Sequence, residues 1–128
     1  MKEKVQVYLC DEEGLRFFGE GPYRLLLAVE ETGSLRGGAM QMHMAYTKAL
    51  KLITHAEEVL GFPLTQRTIG GKGGGGSALT AEARKLVTQY EQYRTAVEQE
   101  ARRLFDQYFG PHWLCDSGLG GGETVREQ

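Results

Sequence analysis

Between Gly70 and Gly76 the chain places six glycines around a single cation, Lys72. That is chemistry for phosphate. Backbone amides without side chains can approach an anion closely, and the ammonium supplies charge. The order of residues excludes the nucleotide-binding forms of such a loop. A P-loop continues from its lysine into Ser or Thr at a helix start, whereas Lys72 is followed by Gly73. A dinucleotide turn lies within a βαβ unit, and no such alternation surrounds this loop. A flexible spacer has a similar composition. However, Leu64–Ile69 and Ser77–Thr80 on either side have strand character, and Leu79-Thr80 opens a helical pattern. The loop is therefore expected to be the tip of a β-hairpin, free to move until it meets phosphate.

Other reactive residue types do not converge. His43, His55 and His112 lack metal-ligand spacing, and Cys10 and Cys115 stand at opposite ends without a CxxC pattern, as free thiols would. Glu57-Glu58 falls on a helical pattern as a solvated face. The sequence predicts no enzyme, no metal and no cofactor.

Composition is that of one ordinary globular domain, with 41% hydrophobic and 25% charged residues and a net charge of −2. The apolar runs are too short to span a bilayer. Met1-Lys2-Glu3-Lys4 does not begin a secretory signal, so a cytoplasmic protein is expected. Charge is unevenly spread. From Ser34 to Lys72 five cations face two carboxylates, a net +3, while acid collects at Asp11-Glu12-Glu13, at Glu30-Glu31 and from Glu91 to Asp106. One basic face suits a polyanionic partner.

The elements that would position these groups follow from periodicity. Lys4–Cys10 alternates and Leu15–Gly19 returns after an acidic turn, which predicts an N-terminal hairpin. Pro22 suits a first helical turn, and Gly33 ends that helix. Ser34 caps a short second helix, Leu35–Gln41, whose Gly37-Gly38-Ala39 permits close packing. After a turn at Met42-His43-Met44, a third helix from Ala45 to Leu60 carries Ala49, Leu52, Ile53, Ala56 and Leu60 on one face. Gly61 and Pro63 stop it. Beyond the hairpin, Thr80 caps a helix reaching Phe109, with Leu79, Ala83, Leu86, Tyr90, Tyr93, Val97, Ala101, Leu104 and Tyr108 in a heptad-like stripe with one stutter. About thirty helical residues extend roughly 45 Å, and so long a stripe calls for a second copy. Three helices, a basic-tipped hairpin and a long helix are the order of a winged helix-turn-helix. The expected fold is α+β, mainly α, with a domain over residues 1–110 and a disordered tail over 111–128 that Trp113 and Leu114 pin at its start.

These residues resemble the N-terminal domain of the ModE-type, molybdate-responsive, LysR-like transcription regulators. Glu30-Glu31-Thr32-Gly33-Ser34-Leu35, Met44-Ala45-Tyr46 with Ala49, and above all Thr68-Ile69-Gly70-Gly71-Lys72-Gly73-Gly74-Gly75-Gly76 followed by Leu79-Thr80 carry the likeness. It covers residues 21–94. Where the family has a turn glycine this chain has His43. Ala45 replaces the recognition-helix serine, Thr47-Lys48 a basic pair, and Leu50 a tryptophan. The residues that follow are too few for the family's molybdate-binding domains, so a stand-alone DNA-binding part is expected.

The resemblance implies a transcription regulator bound to double-stranded DNA, and the heptad-like stripe adds the expectation of a homodimer. Tyr46, Thr47, Lys48 and Lys51 are the expected base-reading residues at the start of the third helix. Ser34 and Arg36 are expected at phosphate, and Arg67 and Lys72 belong to the wing. Leu86, Tyr90, Tyr93, Val97, Ala101, Leu104 and Tyr108 are assigned to dimerisation. The competing expectation is a winged-helix adaptor that docks another regulator without reading DNA. The acidic balance, Ala45 and Thr47 favour that reading, and the Lys72 loop opposes it.

Overall fold

The computed structural model describes residues 1–69 and 76–116. Lys72 with the wing tip, and the tail from residue 117, lie outside the described residues. In chain order the elements are β1 (Leu9–Cys10), β2 (Arg16–Phe18), α1 (Glu20–Thr32), α2 (Leu35–Gln41), α3 (Tyr46–Leu60), β3 (Thr65–Thr68), β4 (Gly76–Leu79), α4 (Ala81–Tyr108) and α5 (Trp113–Asp116). The strands pair as two antiparallel hairpins, β1 with β2 and β3 with β4.

The first hairpin is shorter than its alternation predicts. Val5, Val7 and Leu9 are half-buried between exposed neighbours, so the period of two is present. Only Leu9–Cys10 finds ladder partners, because the returning strand has three residues before Gly19 starts α1. The Asp11 carboxylate accepts the amides of Glu13 and Leu15, both at 2.9 Å, and closes the turn.

The helix signals are met closely. Gly33 ends α1 at φ 85°, a left-handed conformation that costs glycine little. The Ser34 hydroxyl then accepts the Gly37 amide at 2.8 Å and starts α2. A Cβ built on Gly38 would lie 3.0 Å from the backbone nitrogen of Val29, so α1 and α2 touch backbone to backbone. His43 adopts φ 56° in the turn before α3, a conformation that is strained for a side-chain-bearing residue. Ala45 precedes α3 without a side-chain cap.

One core joins these helices to the wing root. Phe18, Leu25, Leu26, Val29 and Leu64 are fully buried in it, with Ala49, Ile53 and Ala56 from α3. Among the described residues Thr80 is the buried polar one, and it is satisfied. Its hydroxyl donates to the Pro63 carbonyl at 2.8 Å and accepts the Ala83 amide at 3.0 Å, capping α4. Glu57 departs from the expected solvated pair. It is half-buried and accepts the Leu64 amide at 2.8 Å, which secures the chain after α3, while Glu58 is exposed.

The start of α4 corrects the dimer stripe. Ala83, Val87 and Tyr90 enter the core. Tyr90 packs edge-on to Phe18, with ring centroids 5.2 Å apart, and its hydroxyl donates to the Val7 carbonyl at 2.7 Å. Leu86 packs against the same core. Tyr90 is committed within the chain and Leu86 in part, because the first turns of α4 must close the domain that precedes them.

The chain divides into two compact units, residues 7–93 and a second one formed by Met1–Gln6 with the residues from Arg94 onward. In the second, the Phe105, Phe109 and Trp113 rings follow one another at 5.7 and 5.3 Å. The Arg103 guanidinium bonds the Glu100 carboxylate and holds it below its ordinary pKa. Residues 113–116 are helical where a disordered tail was expected, since the Trp113 ring has Phe109 to pack on and its amide bonds the Gly110 carbonyl. No described helix is long and apolar enough to cross a membrane.

Candidate nucleic-acid interface

Burial of Ala49, Ile53 and Ala56 sets the rotation of α3 and turns the other face outward. Tyr46, Thr47, Lys48, Leu50, Lys51, Thr54 and His55 are all exposed there. By helical geometry, Thr47, Leu50, Lys51 and Thr54 occupy the middle of this face, with Tyr46 on one flank and Lys48 on the other. The four residues expected to read bases therefore share one surface. Two more join them. Leu50 is 43% exposed among polar neighbours, and Thr54 lies one turn below it. Reading successive residues at the helix start misses both, whereas the three- and four-residue spacing from Thr47 and Lys51 points to them.

Arg36 and Tyr46 belong to different helices and meet. The Arg36 guanidinium carbon lies 4.4 Å from the centroid of the Tyr46 ring. Such stacking restricts both side chains while leaving guanidinium donors at the plane's edge for another acceptor. Ser34 stands at the start of α2 and caps it. Its hydroxyl is engaged with Gly37, and its carbonyl accepts the Gly38 amide at 2.9 Å and the Thr32 hydroxyl at 3.1 Å. It orients the helix that carries Arg36.

Arg67 is exposed on β3, opposite Ser77 in the register. The Ser77 amide donates to the Gly33 carbonyl at 2.8 Å, so the wing root adjoins the α1–α2 turn. Of the expected dimer residues, Tyr93, Leu104 and Tyr108 are exposed, and Val97 and Ala101 are half-buried.

Residues 22–84 match the family model of bacterial regulatory helix-turn-helix proteins of the lysR family. Among curated proteins, the molybdenum transport protein ModE of Azotobacter vinelandii is 33% identical over 85 residues, covering 63% of this chain and 32% of that protein. The transcriptional regulator ModE of Haemophilus influenzae is 31% identical over 84 residues, covering 66% of this chain and 33% of that protein. The chain thus spans about a third of the length of these relatives. Among solved structures, the complex of the CbnR DNA-binding domain with DNA superposes with a TM-score of 0.51 at 19% identity, over 65% of this chain and 90% of that one. A LysR family transcriptional regulator superposes with a TM-score of 0.51 at 20% identity, over 68% of this chain and 28% of that one. At those identities the likeness is one of fold. Residues 22–84 thus carry a likeness to lysR-type helix-turn-helix domains, and the similar curated proteins include ModE regulators.

Proposed function

We propose that the chain is a cytoplasmic transcription regulator that binds duplex DNA as a homodimer, with α3 in the major groove and the wing beside it on the backbone. One observation carries this reading. The exposed face of α3 presents Thr47, Lys48, Lys51 and the Arg36–Tyr46 stack over a stretch, Ser34–Ala56, that contains no carboxylate. Short polar and basic groups at the start of such a helix reach base edges, and cations at its margins meet phosphates. The CbnR domain, which shares the fold, was solved on DNA. Exposed Tyr93, Leu104 and Tyr108 on α4 support the second copy.

The test is a gel shift with duplex selected from a random library, at two salt concentrations. A dimer that contacts several phosphates should lose roughly three orders of magnitude of affinity or more between 50 and 200 mM salt. Absence of any shift at the lower salt defeats the reading. In its place would stand the adaptor, which the sequence pI of 5.9 and the exposed Leu50 favour.

A further inference from the structure

β4 has two edges, and both are used. One pairs with β3 in the register Thr65 with Leu79, Gln66 with Ala78, Arg67 with Ser77 and Thr68 with Gly76. Amides two residues apart on a strand point to the same side. On the other edge the Ser77 amide donates to the Gly33 carbonyl at 2.8 Å, and the Leu79 amide to the Glu30 carboxylate at 3.5 Å. The second oxygen of Glu30 binds Arg84 at 3.1 Å. The C-terminal turn of α1 therefore grips β4 where a third strand would lie. A two-stranded hairpin is marginal in water by itself, so this grip decides where the wing sits.

The grip requires the absence of a side chain at one position. A Cβ built on Gly76 would fall 2.3 Å from the Gly33 carbonyl oxygen, far inside contact distance. Gly33, in turn, aims that carbonyl through its left-handed backbone. The next residue, Ser34, caps the helix that holds Arg36 against Tyr46.

We propose that Gly76 is a positioning residue for DNA binding: by letting β4 dock on the Gly33 carbonyl, it holds Arg67 on the wing in fixed relation to the α2–α3 reading surface. This rests on the DNA-binding reading, and it concerns how two separate contacts are brought to one duplex. Gly76→Ala should retain the helical circular dichroism of the parent, because the strain falls on the wing root. The protection of the Ser77 amide against hydrogen exchange should fall. Affinity for the selected duplex should drop about tenfold and the salt slope should become shallower by about one, as loss of a phosphate contact requires.

A double-mutant cycle with Arg67→Ala separates positioning from mere stability. If Gly76→Ala has already lifted Arg67 from the DNA, adding Arg67→Ala should cost nothing further. Additive losses, or a Gly76→Ala protein with the parent's affinity and slope, overturn the proposal. Should Gly76→Ala not fold, Glu30→Ala replaces it in the same cycle. It removes the second holding point from an exposed helical site, and the parent's salt slope in that variant also overturns the proposal. A parent that shifts no duplex at low salt overturns the DNA reading itself, and the role of Gly76 with it.

Discussion

Lys48 and Leu50 stand two residues apart on α3 and pose different questions to a duplex. Lys48 is on the flank of the exposed face, where an ammonium can reach either a base edge or a phosphate. A base contact makes Lys48→Ala cost about 1–3 kcal/mol on the selected site and much less on others, whereas a phosphate contact weakens all sequences alike. Titration of both duplex types measures the difference. Leu50 offers only apolar surface, and the apolar group in a major groove is the thymine methyl. Replacing thymine by deoxyuridine at the facing position should cost the parent about 0.8 kcal/mol, or about fourfold in affinity. The same replacement should leave Leu50→Ala binding unchanged. Equal sensitivity in both proteins would remove Leu50 from the reading surface.

At the scale of elements, the α1–α2 contact shows why glycines occupy a helix that they weaken. Alanine at Gly38 would gain about 1 kcal/mol in helix propensity. Its Cβ, however, would press on the Val29 backbone nitrogen at 3.0 Å, and the buried side chain of Val29 leaves α1 little room to retreat. Overpacking of this kind costs typically 1–3 kcal/mol. Gly38→Ala should therefore lower stability on balance by about 1 kcal/mol, measured by urea unfolding. A stabilised variant would show that α1 and α2 can separate freely. The wing obeys the same logic at Gly76. Close approach between separate elements, and not the freedom of a turn, accounts for these two glycines.

For the molecule as a whole, α4 does two jobs along its length. Its first turns close the core through Ala83, Val87 and Tyr90, and its later turns leave Tyr93, Leu104 and Tyr108 exposed. If the later turns hold a second copy, Val97→Asp places a carboxylate in the seam. A buried unpaired charge is severely unfavourable, so light scattering should find a dimeric parent and a monomeric variant at the same concentration. A monomeric parent ends the homodimer proposal, and a dimeric variant moves the interface away from Val97. Because Leu86 and Tyr90 already serve the chain's own core, substitutions there should report on folding before they report on association.

Much of this protein is written locally. Ser34 as a helix cap, left-handed Gly33 and Gly61, the turn at His43 and the apolar face of α3 each follow from interactions within a few residues, and each stands where its signal places it. The winged helix-turn-helix order and the basic, carboxylate-free stretch were legible for the same reason. Partners outside the element itself decided the rest. Strand potential from Lys4 to Tyr8 went unused because the returning strand was too short to pair with it. Tyr90 left the dimer stripe because Phe18 and the Val7 carbonyl, remote in sequence, were waiting for it. Glu57 became a loop anchor only because the chain after α3 brings the Leu64 amide within 2.8 Å. The stacking of Arg36 on Tyr46 and the seat of Gly76 on Gly33 likewise exist only in three dimensions. A sequence displays the period of a helix and the chemistry of its caps. It does not display which residues from other elements will occupy the space that those helices enclose.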